Sequence, residues 1–228
     1  AHRYAKEHDA LITLGLKPHR PDTGYGYIQF DEKEVSSGVN KVRTFTEKPP
    51  MELAEKFIES GDFLWNSGMF VWSIPSILKA LNEHLPEMDL TFSEGKGAYN
   101  TAIEAEHIQR IYTEIGSISI DNGLLEKADN VFVLPSDFGW SDLGTWKSVH
   151  EKIANEDINT VLNATLHATN SSNNLVISDS NKLIVINDLD GYYVIDTADA
   201  LLICKTDQEQ EVKKISSDIK KKYGGKYS

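Results

Sequence analysis

The hydrophobic pattern of this chain changes period near residue 155, and one architecture cannot serve both sides of that change. Upstream, strand-length apolar runs at residues 10–16, 26–30, 39–47, 63–72 and 130–134 alternate with helical patterns at 50–61, 73–85, 102–115, 121–127 and 145–153. Such alternation predicts a three-layer α/β domain. Within it, residues 65–68 read as a loop, and Asp121 reads as the N-cap of the helix that follows it. Downstream, helical periodicity stops. Four short apolar runs follow at 175–177, 183–186, 192–195 and 200–204, and the last three start about nine residues apart. Asn, Asp and Gly turns separate them, which predicts a small β-rich unit. A closing amphipathic helix over 207–223 carries Val212, Ile215 and Ile219 on one face. The expected domains are residues 1–154 and 155–228.

Charge narrows the partners. The net charge is −12, from 23 Lys and Arg against 35 Asp and Glu. Such a surface argues against nucleic acid and anionic membrane. It leaves a small anionic substrate open, because a few placed cations hold one phosphate whatever the total. The basic run at 220–222 ends a helical pattern, where cations complement the helix dipole. No apolar run approaches the roughly 18 residues of a membrane span. The single cysteine, Cys204, argues against a disulfide framework or a Cys-rich zinc site. It fits a reducing, cytoplasmic compartment. The chain opens without Met or a signal core and runs from a helix end straight into a buried strand. That reads as a fragment starting inside an α/β unit.

Three loop motifs could carry chemistry. Gly24-Tyr25-Gly26-Tyr27 stands where a loop enters a strand, and its glycines let backbone approach a ligand. Phe45-Thr46-Glu47-Lys48-Pro49-Pro50 closes a strand at the end where α/β sheets bind ligands. There Glu47 could accept vicinal hydroxyls and Lys48 could hold a phosphate as a point charge. Between residues 135 and 146, Asp137 and Asp142 lie among glycines ahead of a helix. Asp142 could meet a divalent cation, or Ser141 or Asp142 could merely cap that helix. No Ser-His-Asp arrangement is suggested, and the seven histidines show no metal-ligand spacing. Cys204 reads as a small hydrophobe. Trp65 and Trp140, flanked by glycines and polar residues, read as pocket walls.

Together these motifs resemble the bacterial mannose-1-phosphate guanylyltransferases. The matching strings are LITLGLKPHRPDTGYGYI, FTEKP, FLWNSGMFVW, SIDNGLLEKADNVFVLPSDFGWSDLGTW and DALLICKTDQEQEVKKI, which cover nearly the whole chain. The resemblance implies the C-terminal part of a Rossmann-like α/β nucleotidyltransferase domain, then a small left-handed β-helix-like unit and a C-terminal helix. It implies an enzyme joining GTP and mannose 1-phosphate into GDP-mannose. Gly26 would offer backbone to the sugar, Glu47 and Asn66 would contact the sugar, and Lys48 would bind its phosphate. Asp142 would bind catalytic Mg2+. Asp121, Glu126 and Lys127 fall in matching strings without an assigned role. The family's glycine-rich triphosphate loop and its second metal carboxylate are not in these 228 residues. That predicts a chain holding the sugar-phosphate half of a site and inactive alone. A homodimer through residues 155–228 is a further expectation. The alternatives are a nucleotidyltransferase for another sugar or base, and a non-catalytic sugar-phosphate-binding or assembly module.

Overall fold

The computed structural model describes residues 1–36, 38–153, 159–209 and 211–227. The chain divides into two compact units, Ala1–Trp140 and Ser141–Ser228. The domain boundary expected between residues 154 and 155 lies outside the described residues.

The first unit runs α1 (His2–Glu7), β1 (Leu11–Leu16), β2 (Tyr27–Ser36), β3 (Val39–Thr46), α2 (Met51–Ser60), β4 (Phe63–Trp72), α3 (Ile74–His84), α4 (Pro86–Glu94) and α5 (Glu104–Glu114). A single wide turn of π type, Asp121–Leu125, leads to β5 (Val131–Ser136). The strands neighbour one another in the order β1-β4-β2-β3-β5, and β5 returns to β1 to close the ring. Only β1 and β5 pair in parallel; the other four pairings are antiparallel.

Strand alternation sorts the core. Val131 and Val133 of β5 pack with Leu11, Leu64, Ala80 and Leu124, drawing α3 and the π turn onto one face. Phe132 and Leu134 pack instead with Tyr4, Ala5 and Ile12, drawing α1 onto the other. Elements thus pack on both faces of β5, but where the alternation predicts three layers the five strands close into a ring. A further cluster seats Ala54 and Phe57 of α2 against Leu16, Tyr27, Phe63 and Trp65.

Two local expectations are corrected, and one helix has none. Residues 65–68 are not a loop: β4 runs unbroken through them, because Trp65 is paired with Leu16 on one side and Tyr27 on the other. The irregularity becomes a bulge, with the β1–β4 register slipping between Thr13 and Gly15 and Gly68 at φ +71°. Asp121 does not cap a helix; it lies within the π turn, behind Ile120. Helix α4 buries no residue, so it leaves no apolar periodicity to read.

The second unit comprises α6 (Trp146–Ile153), β6 (Thr160–Leu162), β7 (Thr165–Thr169), β8 (Leu175–Ser178), β9 (Leu183–Asn187), β10 (Tyr192–Asp196), β11 (Leu201–Lys205) and α7 (Glu211–Tyr223). Strands β6, β8 and β10 stack in parallel, β11 joins β10 antiparallel, and β7 and β9 form a second parallel pair. Leu175 lies beside Tyr193 and Thr165 beside Leu183, so one coil takes 18 residues. The nine-residue spacing in the sequence is half of that coil. Inside it, Leu166, Val176, Ile184, Ile186 and Val194 meet. Outside, Trp146 covers Leu175, Ile177, Tyr193 and Ile195.

The coil turns by means of left-handed residues. Asn163, Asn170, Asn173, Asn181 and Asp188 all have positive φ, the region Asn and Asp tolerate best after glycine. Fully buried Asn174 ties successive turns together. It donates to Asn159 Oδ1 at 2.7 Å and to the Leu189 carbonyl at 2.8 Å, and accepts from the Tyr192 amide at 2.8 Å.

Candidate active site

Four of the five residues expected to form the site meet at one place in the first unit. Gly26 stands where the loop enters β2, Glu47 and Lys48 follow the end of β3, and Asn66 sits in the bulge of β4. The Asn66 amide donates to the Gly26 carbonyl at 2.8 Å, closing the first of these approaches. A Cβ at position 26 would lie 2.6 Å from Glu47 Oε2 and 3.3 Å from Asn66 Cβ. Gly26 is therefore the residue that lets the Glu47 carboxylate lie across the strand.

Lys48 occupies the left-handed region, φ +46°, immediately before Pro49. This is a costly conformation for a lysine, of a kind that clusters at ligand sites. It turns the side chain back so that Nζ meets Glu47 Oε1 at 2.9 Å. That hydrogen bond and the glutamate's charge raise the lysine's pKa. More than half of the side chain remains exposed, so the ammonium can change partners.

Asn66 is committed mostly to the protein. Its Oδ1 accepts from Thr13 Oγ1 at 2.8 Å and from the Gly68 amide at 3.2 Å. Its Nδ2 donates to Asp121 Oδ1 at 3.0 Å. These bonds fix the amide's orientation and leave one N–H for a ligand. Asp121 thereby joins the site. Burial raises its pKa first, and the neighbouring Glu47 charge adds to the shift, against the Asn66 hydrogen bond and Lys48. Glu126 accepts from the Glu47 amide at 3.3 Å, bracing the strand end. Lys127 is exposed at the edge of the same turn.

The chemistry gathered here is two carboxylates, one exchangeable ammonium and a close-lying glycine backbone. That set suits a polyhydroxylated anion: carboxylates accept hydroxyls, and the lysine pairs with a phosphate. Reading the sequence missed Thr13, the buried hydroxyl that orients Asn66. Its signal was present, as the one polar residue in the buried run Leu11–Leu16. Trp65 is almost wholly buried and belongs to the α2 cluster, where it meets the edge of Tyr25; it is core rather than pocket wall. Trp140 packs at the border of that cluster. Cys204 is half-buried, and burial pushes its thiol up, which suits a small hydrophobe.

Asp142, the fifth residue, lies in the second unit, exposed in the loop ahead of α6. Neither it nor Ser141 caps that helix. Thr145 does, accepting from the Ser148 amide at 3.1 Å while Ser148 Oγ accepts from the Thr145 amide at 3.2 Å. The Asp142 carboxylate instead lies across Gly144, where a Cβ would come within 2.6 Å of Oδ2. Among the described residues no three His, Cys, Asp or Glu side chains gather as a metal cluster. An exposed carboxylate is a donor of the type Mg2+ takes, one or two at a time, with water and substrate phosphates completing its shell.

Known proteins resemble this chain. A family described as Nucleotidyl transferase matches residues 1–159, and one described as MannoseP isomerase/GMP-like beta-helix domain matches residues 168–218. A mannose-1-phosphate guanylyltransferase of Sinorhizobium fredii (strain NBRC 101917 / NGR234) is 35% identical over 91% of this chain, and one of Escherichia coli is 32% identical over 90%. The chain spans 41% and 45% of their respective lengths. Among solved structures, one described as a mannose-1-phosphate geranyltransferase from Thermus thermophilus superposes with a TM-score of 0.80 at 25% identity. That match covers 96% of this chain and 62% of the other. Among the described residues no helix is long and apolar enough to cross a membrane. With the nucleotidyl transferase match extending over most of its length, and a β-helix-like unit following it, the chain belongs to the nucleotidyl transferase family.

Proposed function

We propose that the chain carries the sugar-phosphate half of a mannose-1-phosphate guanylyltransferase, which joins GTP and mannose 1-phosphate into GDP-mannose and pyrophosphate in the cytoplasm, as a homodimer. The observation that carries this reading is the convergence of Gly26, Glu47 and Asn66 on one carboxylate position, with Lys48 held in a strained conformation beside it. Relatives bearing that name, at 31–35% identity, support the choice of sugar and nucleotide.

In this reading Glu47 accepts hydrogen bonds from ring hydroxyls, and Asp121 stands ready to accept another. Lys48 leaves Glu47 for the phosphate. Asn66 offers its remaining N–H to the sugar, while Thr13, Gly68 and Asp121 keep it in place. The phosphate oxygen of the sugar is already anionic. It attacks the α-phosphorus of GTP in line with the departing pyrophosphate and needs no general base, so positioning and charge neutralisation dominate. Asp142 would hold Mg2+, which would supply charge neutralisation for phosphoryl transfer. The 228 residues contain no glycine-rich phosphate loop, so they bind the sugar phosphate without turning it over.

Titration calorimetry of this chain with mannose 1-phosphate, GTP, dTTP and UTP tests the reading. Mannose 1-phosphate should bind, and Lys48→Ala should weaken it about tenfold or more by removing the charge-assisted contact. Absence of mannose 1-phosphate binding would overturn the assignment. A pyrophosphate-release assay showing robust turnover by this chain would overturn the division of the site.

A further inference from the structure

Gly26 reaches the site at the end of the loop between β1 and β2, residues 17–26. That loop holds two prolines and two glycines, so its shape depends on side chains rather than on a backbone ladder. An ion pair is sunk within it. Arg20 Nη2 donates to Asp22 Oδ2 at 2.8 Å, and the two side chains are only 14% and 11% exposed. A pair this far withdrawn from water is costly unless both partners are well bonded, and both are. Asp22 Oδ1 accepts from the Gly24 amide at 2.8 Å, and the Asp22 amide donates at 2.9 Å to the hydroxyl of Tyr27, a wholly buried residue. Arg20 Nη1 donates to His19 Nε2 at 2.9 Å, because a guanidinium can only donate.

The same guanidinium also meets the sheet. It lies 5.4 Å from the ring centroid of Trp65 and 6.0 Å from that of Tyr25, within cation–π reach. His19 and Tyr25 meet the Trp65 ring edge to face, with centroids 4.8 and 4.9 Å away. Trp65 is 3% exposed and, among the described residues, its indole N–H has no acceptor. Stacking rather than hydrogen bonding therefore fixes that ring. Trp65 precedes Asn66 on β4 and is paired with Tyr27, the residue after Gly26. One side chain thus links Asp22, which shapes the approach to Gly26, with Trp65, which adjoins Asn66.

We propose that Arg20, together with Asp22, is a positioning residue for the sugar side of the site: the pair presets the loop, so that the Gly26 backbone and the Asn66 amide stand in place before the ligand arrives. The proposal rests on the sugar-phosphate reading above. Arg20 acts through the loop and touches no substrate. Its charge is matched by Asp22 inside the loop, whereas Lys48, more than half exposed, is the cation that can change partners. A preset loop raises affinity because its ordering no longer opposes binding. Lysine cannot take the place of Arg20, since an ammonium has no planar fork that can hold a carboxylate while stacking on an indole.

The test reads loop order and ligand binding separately, on the 228-residue chain. Without ligand, Arg20→Ala and Arg20→Lys should each speed hydrogen exchange of the Asp22 and Gly24 amides by about tenfold or more, while the amides of β5 keep their protection. In calorimetric titration both variants should bind mannose 1-phosphate about tenfold more weakly, while competition by inorganic phosphate, which needs Lys48, changes less than about twofold. Asp22→Asn still accepts from Gly24 but loses the charge, so adding it to Arg20→Ala should weaken binding no further. Unchanged exchange at Asp22 and Gly24 would overturn the proposal. So would full rescue by lysine, which would make charge alone sufficient, or an equal loss for phosphate and mannose 1-phosphate, which would make Arg20 a phosphate ligand. Equal affinity of wild type and variants for mannose 1-phosphate would overturn the positioning role alone. Failure of the unmodified chain to bind mannose 1-phosphate would instead overturn the sugar-phosphate reading.

Discussion

At the residue scale the site is organised by exclusion as much as by attraction. Gly26 contributes no side chain, and that absence is its role: an alanine there would put a methyl 2.6 Å from Glu47 Oε2. Gly26→Ala should therefore weaken mannose 1-phosphate binding about tenfold or more, roughly 1.4 kcal/mol, with a nearly unchanged melting temperature. Calorimetric titration beside thermal melting separates the two effects; a binding constant equal to wild type would mean that Glu47 is not the sugar contact. Asp121 makes a pH prediction. Its pKa is raised, first by burial and then by Glu47. The native state therefore binds more protons than the unfolded one, and stability falls as pH rises from the ordinary aspartate value of 3.8 through the raised one. Asp121→Asn cannot ionise and can still accept from Asn66. It should melt higher than wild type at pH 7, and the difference should vanish below pH 3.8. A constant difference across that range would show that the charge is not its source.

At the element scale the two units hold their strands by different means. The first packs helices against its ring of strands, and Gly15 is one of its crowded positions. A Cβ there would meet Leu64 Cδ1 and Val133 Cγ2 at 2.6 Å. The second has short strands and depends on its turns. Asn174 gives each of three backbone or side-chain groups a partner in a dry place. Asn174→Ala should cost about 3 kcal/mol, because it leaves buried groups unpaired as well as opening a void. Urea unfolding followed by tyrosine fluorescence would measure it; a loss below about 1 kcal/mol would mean that water replaces the amide. Asp196 closes another turn, accepting from Ser178 at 2.6 Å and Lys182 at 3.0 Å. These bonds hold its carboxyl below the usual range, Ser178 contributing most. The stability it contributes is present above 3.8 and is lost as pH falls through the lowered value.

At the scale of the whole molecule, each unit has its own buried clusters, three in the first and two in the second among the described residues. Scanning calorimetry should therefore show two transitions rather than one. Asn174→Ala should move only the transition that belongs to the coil. A single transition displaced as a whole by that substitution would mean that the units unfold together.

The periods of the pattern were enough to find the α/β unit, the coil and the helix after it, because burial on a face imposes a repeat of 3.6 or 2 that composition cannot hide. The strings around Gly26, Glu47, Lys48 and Asn66 marked residues that the fold brings together for a similar reason: a close backbone approach, a strand end and a bulge each demand particular residue types locally. What the pattern could not carry was anything decided by partners distant in sequence. Residues 65–68 resemble a loop until β1 and β2 pair with them from either side. Asp121 resembles a cap until Asn66, 55 residues away, claims its oxygen. Thr13 resembles an interruption in an apolar strand until its hydroxyl meets Asn66. Helix α4 buries nothing and so announces nothing. Local chemistry determined which elements form and which loops gather glycine, carboxylate and lysine. The tertiary structure alone decided how the side chains of the site are oriented and charged, because hydrogen bonding and desolvation depend on what the fold brings near.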